Sequence, residues 1–428
     1  MSRDPFAALR HRSFRRYVSG RTLLSLGGMM QGVAIGWQIY ERTGSAQALG
    51  FVGLVQVVPV FLLSLFAGQA VDRFNRRTLI LVAVSLHSLV ALALAWMSAS
   101  AVDVKWIYAV LLISGIARTL HYPANSALIP QIVPLSLFPN AVTWGANSFY
   151  TAAAIGPALG GFVIALTHGA TAVYLINSVM CASCLVATSL VARPPDPVPS
   201  PQVRGWKSLA AGVRYVWRTK MILAPITLDM FAVILGGATT LMPIYAKDIL
   251  GVGPVGLGWL RAAPSMGGVL SAIAIAMLPP IQKAGRTILW AVAIFGAGTI
   301  VFGLSRNIGL SLAALFVLGA ADMFSVVVRQ TLIQLMTPDQ MRGRVSAVNS
   351  MFIGASNELG GFESGITAQW FGPVISVVGG GIGTLLVVLS AAWTWPALRR
   401  FGSLHGAKPA EEHMPPVAPG PAEIDRAA

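Results

Sequence analysis

Apolar residues fall in twelve long blocks along the chain, separated by short polar stretches. The blocks are continuous rather than alternating, which argues against a transmembrane barrel and predicts helices. Most approach or exceed the ~20 residues a helix needs to cross the hydrocarbon of a bilayer. The pattern predicts spans over 14–40, 46–70, 78–99, 106–129, 138–166, 170–191, 221–245, 255–278, 287–304, 309–333, 343–371 and 373–397. One polar segment, 192–220, divides them into two sets of six. It opens on "RPPDPVPSP", whose prolines end the sixth helix. It continues as "GWKSLAAGVRYVWRTK", where Trp206, Leu209, Val213 and Trp217 recur at helical spacing opposite Lys207, Arg214 and Arg218. That spacing predicts a helix lying on the membrane surface. The stretch after Phe401 is rich in Pro, Ala and Glu and is expected to be disordered.

Composition supports this reading. Mean hydropathy is +0.70, and only 11% of residues are charged, against about a quarter in soluble domains. The formal net charge of +15 would suggest nucleic acid in a soluble protein. Here the basic residues sit in the short segments between apolar blocks, so no nucleic-acid partner is expected. Of the 30 lysines and arginines, 23 fall on the side of the N-terminus. Arg42, Lys105, Lys247 and Arg306 fall on the other, which predicts cytoplasmic N- and C-termini. The opening "RHRSFRRYVSG" leads straight into a span, so no cleavable signal is expected.

The expected architecture is an all-α membrane protein with twelve transmembrane helices in two pseudo-symmetric six-helix bundles. Residues 1–13 form a cytoplasmic N-terminal segment, 14–191 the first bundle, 192–220 the linker with its amphipathic helix, 221–400 the second bundle and 401–428 a cytoplasmic tail. The halves repeat in sequence. "IYERTGSAQALGFVGLVQVVP" (39–59) aligns with "IYAKDILGVGPVGLGWLRAAP" (244–264) at an offset of 205. Gly115 matches Gly319, and Pro134 matches Pro338, at an offset of 204. A parallel six-plus-six repeat is an architecture of transporters whose halves rock about a site near the midplane.

Two motifs sharpen this. The loop after the second span reads "GQAVDRFNRR", with Gly68, Asp72, Arg73, Arg76 and Arg77 in the pattern GxxxDRxxRR. Its arginines alone would serve as a positive-inside anchor. Span five carries "GPALGG", that is Gly156, Pro157, Gly160 and Gly161. Proline and small residues permit a kink and close helix contact.

Placed in a twelve-span repeat, the first motif resembles the signature of the major facilitator superfamily, GxxxDRxGRR. Asn75 stands where a glycine is usual, and as an asparagine it tolerates left-handed backbone. "KAGRT" (283–287) is a degraded copy in the second half. The resemblance implies that this loop locks the halves together on the cytoplasmic side, with Asp72 facing a helix N-terminus and neighbouring arginines. The GPxxGG of span five resembles the motif of superfamily members that exchange substrate for protons, although Ala152 replaces a usual glycine. "GIARTLHYPANSALIPQIVP" (115–134) and "TPDQMRGRVSAVNSMFIGASNELGGFESG" (337–365) resemble the branch holding enterobactin exporters and macrolide-efflux-like proteins. A monomer carrying a siderophore or drug-like compound is what that resemblance implies.

Four acids and three bases fall inside spans: Asp229, Asp322, Glu358, Glu363, Arg118, Arg261 and Arg329. Each costs roughly 2.5–3.5 kcal/mol to insert, so pairing or function is the default expectation. Arg118 and Asp322 occupy equivalent positions of the repeat, on spans that line the cavity in the resembled architecture. They are expected to pair across the cavity, to bind a zwitterion or to exchange partners, with a fixed structural ion pair as the plainer reading. Glu358 and Glu363 point about 140° apart on a helix, so they do not form a carboxylate dyad. Either is a candidate proton carrier, Glu358 ahead of Glu363, with Asp229 as a third. Gln31, Trp37, Arg118, Asp229 and Asp322 are the substrate-cavity candidates. His87 and His121 are possible relays. The CxxC of Cys181 and Cys184 lies in an apolar block and reads as packing rather than a redox or metal pair.

The expected function is proton-coupled export of a small organic molecule by alternating access across a bacterial inner membrane, with no cofactor and no metal. The chain has no GxxxxGK[ST] phosphate loop. The alternatives are another cargo, such as a lysophospholipid or an imported nutrient, and an intramembrane enzyme or sensor.

Overall fold

The computed structural model describes residues 4–100, 102–196, 206–279 and 281–402. The first half comprises α1 (Arg12–Thr43), α2 (Ala46–Arg73), α3 (Arg76–Ala99), α4 (Val104–Ile132), α5 (Phe138–Thr167) and α6 (Thr171–Ser189). α7 (Trp206–Arg218) follows in the linker. The second half begins with α8 (Lys220–Leu235), continued through α9 (Met242–Ile244) and a π-helical turn, Tyr245–Ile249. Next come α10 (Gly253–Met277), α11 (Ala284–Leu304), α12 (Ile308–Met336), α13 (Asp339–Phe371), α14 (Pro373–Thr394) and the short α15 (Pro396–Arg400). Among the described residues there is no strand, and nine helical stretches are long and apolar enough to cross a membrane. α1, α4 and α13 carry Gln31, Arg118 and the two glutamates and are less apolar; with them the arrangement accords with the expected twelve. The expected tail lies almost wholly outside the described residues.

Short side chains set several helix starts. Ser45, Asn75, Asp103 and Asn307 each accept a hydrogen bond from a backbone N–H of the first turn that follows. Gly44, at φ 58°, closes α1 in the left-handed region. Asn75 differs from expectation: its φ is −60°, so left-handed tolerance is not why it stands there. Its Oδ1 accepts from Arg77 N at 3.1 Å, and its Nδ2 donates to Pro194 O at 2.8 Å and Asp196 Oδ1 at 2.9 Å. It caps α3 and ties it to the start of the linker. The Asn75 amide, with the Arg193 guanidinium, holds the Asp196 carboxyl below its ordinary value. Asn75→Ala is expected to lower stability by about 1 kcal/mol, read as a drop in the thermal midpoint in detergent; an unchanged midpoint would remove this role.

The seventh span, expected to be continuous over 221–245, breaks after Leu235. A Cβ on Gly237 would lie 2.5 Å from Gly360 O, and one on Gly236 2.6 Å from Phe295. The chain bends where two glycines let α13 and α11 approach.

α7 docks on the second half. Tyr215 and Val216 are buried against Ile222, Ile226, Ile333, Met341, Val345 and Val348. Val213 and Trp217 of the expected apolar face are exposed. The side chains of Trp206, Lys207 and Leu209 lie outside the described residues.

The buried apolar residues divide by depth. Call the face where α1 begins and α14 ends the terminal face, and the opposite one the far face. Near the far face a single core joins both halves, with Val33, Ile39, Leu49, Leu94 and Tyr174 from the first and Leu241, Leu257, Leu260, Phe302 and Leu315 from the second. Towards the terminal face the halves have separate cores, one around Phe14, Ile80 and Leu128 and another around Ala224, Ile288 and Leu332. A Cβ added to Gly68 on α2, or to Gly343 or Gly354 on α13, would meet nothing within 4 Å. The two halves therefore meet at the far face and part towards the terminal face.

Candidate functional site

The far-face joint is built from close backbone approaches. On α5, a Cβ at Gly161 would lie 2.2 Å from Pro254 O and 3.0 Å from Gly258 Cα on α10. A Cβ at Gly258 would lie 2.6 Å from Pro157 O. Gly156 and Gly160 serve α1 instead, meeting Met29 and Met30. The GPxxGG motif thus fastens α5 to α1 within its half and to α10 across the joint. α2 and α13 meet in the same way, since a Cβ on Gly365 would lie 2.7 Å from Gly50 Cα. Phe51 and Phe362 stack obliquely beside them with ring centroids 5.5 Å apart. Polar contacts close the rim. Tyr40 donates a hydrogen bond to Asp248, Lys247 lies 5.7 Å from the Tyr40 ring centroid, and Ser45 Oγ donates to Gln369 Oε1 at 3.0 Å.

Deeper in, an ion pair crosses between the halves. Arg118 of α4 reaches Glu358 of α13, with Nη1 and Nη2 both donating to Oε1 at 3.0 and 2.9 Å. Arg118 stands fourteen residues from the far-face start of α4, and Glu358 thirteen from the far-face end of α13. They share a depth of about 20 Å at 1.5 Å per residue. Gly53 of α2 makes room, because a Cβ there would lie 2.8 Å from Glu358 Oε2. Both side chains remain partly exposed, at 43% and 22%.

Asp322 stands fourteen residues into α12, the repeat-equivalent depth to Arg118, yet the two are not partners. α13 runs alongside α2, which itself packs on α4, and so brings Glu358 rather than Asp322 to Arg118. Among the described residues Asp322 makes no hydrogen bond or ion pair. Asp229 of α8 is buried and paired with Arg329 of α12, which is buried too. This pair lies within one half. Glu363 is half-buried and accepts a hydrogen bond from Ser364 Oγ at 3.4 Å, away from Glu358 as the helical angle requires.

Gln31 is turned towards α6, where its Oε1 accepts from Asn177 Nδ2 at 2.6 Å. Trp37 is buried in the far-face core. Arg261 of α10 packs its guanidinium against α1, 3.4 Å from methyl positions on Gly32 and Gly36, with Nε buried and unpartnered. The His87 and His121 rings lie 6.2 Å apart between α3 and α4. Cys181 and Cys184 are free thiols buried in the core of the first half. Among the described residues no group of His, Cys, Asp and Glu could hold a metal. At the loop motif, Arg77 donates to Thr188 O at 3.1 Å and to Ser189 O, gripping the end of α6. Asp72 lies half-buried in the last turn of α2.

Sequence reasoning gave no role to Gly53 or Ser325. Gly53 left a signal, since it is matched by Gly258 across the repeat. Ser325 left none, being one small polar residue among many.

Two helical halves that meet at one face, part at the other and place an ion pair between them define a multi-pass membrane transporter. The family model described as transmembrane secretion effector matches residues 3–418, and the chain belongs to that family, within the major facilitator superfamily. It is 27% identical to the multidrug efflux pump Tap of Mycolicibacterium fortuitum over 77% of this chain and 82% of that one. It is 22% identical to the staphyloferrin A transporter of Staphylococcus aureus, over 87% and 94% of the two chains. It is 25% identical to the enterobactin exporter EntS of Escherichia coli, over 91% and 94%. The fold resembles a crystal structure of a peptide transporter POT, with a TM-score of 0.73 and 11% identity over 94% of this chain and 99% of that one. The chain is a transporter and not an enzyme, which sets aside the expected enzyme alternative.

Proposed function

We propose that the chain exports a siderophore or a drug-like organic molecule by alternating access, driven by protons moving the other way. The observation that carries the reading is the Arg118–Glu358 pair, which links the halves at mid-depth and remains partly exposed. A proton arriving on Glu358 cancels the charge that holds Arg118 and frees the halves to move; its departure restores the pair. Efflux pumps and siderophore transporters among the relatives support export over nutrient or lysophospholipid import. The distribution of basic residues supports a cytoplasmic terminal face in a bacterial inner membrane, which makes this conformation the inward-facing one. The loop motif, through Gly68, Asp72, Arg73, Arg76 and Arg77, then serves as the gate on the cytoplasmic side, engaging the second half when that side closes. The transporter acts as a monomer, with substrate, protons and lipid as its partners.

The test is substrate-induced proton release from purified protein in weakly buffered detergent solution, using a panel of siderophores and cationic, neutral and zwitterionic drugs. Release in the wild type is expected to fall at least tenfold in Glu358→Gln while substrate still binds. Glu363→Gln and Asp229→Asn serve as comparisons. Binding without proton release in the wild type would end the coupled reading. Release unchanged in Glu358→Gln would move the coupling to another carboxyl.

A further inference from the structure

Within the second half, between α8, α11 and α12, lies a cavity of about 10 Å³ lined by Asp229, Asp322 and Ser325, with Ala232, Val292 and Phe295 among its apolar walls. That is room for about one water molecule. Ser325 is 2% exposed, and its Oγ has no hydrogen-bond partner. Buried hydroxyls are almost always satisfied, by protein or by water. An orphan hydroxyl and an unpaired carboxyl on a pocket of this size call for a small hydrogen-bonding occupant.

We propose that this cavity is a proton-binding site, in which Asp322 takes up and releases a proton through one water molecule held by Ser325 Oγ and Asp229. The use of that proton in transport rests on the coupled reading above. One water suits the lining, because it can accept from the serine hydroxyl and donate to both carboxyls. On uptake it gives a proton to an Asp322 oxygen, forming the O–H bond, while accepting one from solvent. Water is regenerated, and the carboxylate becomes a neutral carboxylic acid. Release reverses each transfer.

Hard metal cations take about six oxygen ligands. Here two carboxyls and one hydroxyl face the cavity, Asp229 is already engaged by Arg329, and the other walls are apolar. The division of labour follows from the partners. A carboxyl without a counter-ion is far cheaper neutral than ionised inside a membrane, and Asp322 is the one without a counter-ion. The titratable or charged groups that face it are few. They are Asp229 on α8, with Arg329 behind it, and Tyr150 on α5, near enough for the Asp322 charge to act on its hydroxyl. α11 offers only Ala291, Val292 and Phe295, and α10 turns no titratable side chain into the cavity. The site differs from the Arg118–Glu358 pair because every residue lining the cavity belongs to one half, although Tyr150 lies in the other half and moves with it.

Infrared difference spectra of the full chain in bilayers, without substrate, test this as pH is stepped. The wild type is expected to give a protonated-carboxyl band that titrates. Asp322→Asn abolishes it, Asp322→Glu retains it, Ser325→Ala shifts its frequency, and Glu358→Gln keeps it. A band that persists in Asp322→Asn, or that ignores Ser325→Ala, overturns the proposal. So does a band removed by exchanging K⁺ for Na⁺ at constant pH, which would make the occupant a metal cation. The two readings fail separately. A titrating Asp322 band without substrate-induced proton release ends the export reading alone; release with no Asp322 band ends this one alone.

Discussion

Gly161→Ala is expected to hold the far face open. The added methyl meets Pro254 O at 2.2 Å and Gly258 Cα at 3.0 Å, and both are backbone atoms that cannot rotate away. Overpacking of this kind costs about 1–3 kcal/mol, which moves the ratio of closed to open far face about 5–150-fold. A transporter of this architecture must close each face in turn, so transport in vesicles falls by a similar factor. Spin labels on the α5–α6 turn and on the loop before α10 report the change as longer distances. Gly354→Ala on α13, where nothing lies within 4 Å, serves as the control and changes neither readout. A Gly161→Ala protein with wild-type distances would mean that α5 and α10 do not form the closing contact.

Arg329→Ala is expected to produce the largest loss of stability. The Arg329 side chain is 3% exposed and that of its partner Asp229 is 9% exposed. Removing the arginine leaves a buried carboxylate without a counter-ion, a change that costs about 3–5 kcal/mol. Asp229→Asn leaves the cation stranded and is expected to destabilise as well. The double variant Asp229→Asn/Arg329→Met removes both charges and recovers most of the loss, because a buried pair often stabilises no more than an apolar replacement. Thermal unfolding of the four proteins in one detergent reads this out. Additive losses in the double variant would show that the two residues do not act as a pair. The same cycle guards the coupling experiment, since lost transport in Asp229→Asn reports coupling only if the protein remains folded.

The sequence carried the architecture and much of the joint. Continuous apolar blocks predicted an all-helical membrane fold, and the repeat placed Arg118 and Asp322 at one depth. The glycines of GPxxGG were visible too, although their division between α1 and α10 was not. Ion-pair partners were harder. Arg118 found Glu358 instead of Asp322 because pairing depends on which helix of the other half lies alongside, and no periodicity within one helix encodes that. Asp229 was read as facing the cavity, yet Arg329 sits one helix away within the same half. The break after Leu235 escaped notice because two adjacent glycines in an apolar run read equally well as packing. Ser325 matters only through the company it keeps in three dimensions.

The far-face joint also has a thermal character. At its closest approaches it sets Gly161 and Pro157 against Gly258, and Gly50 against Gly365. Glycine and proline have essentially no rotamer freedom to lose on burial. Parting these surfaces therefore releases little side-chain entropy, and warming gives opening little help from that source. Temperature is expected to act on opening through the larger side chains packed around these contacts, Phe51 and Phe362 with Ile39, Leu49, Leu241 and Leu257, which regain motion when the far face opens.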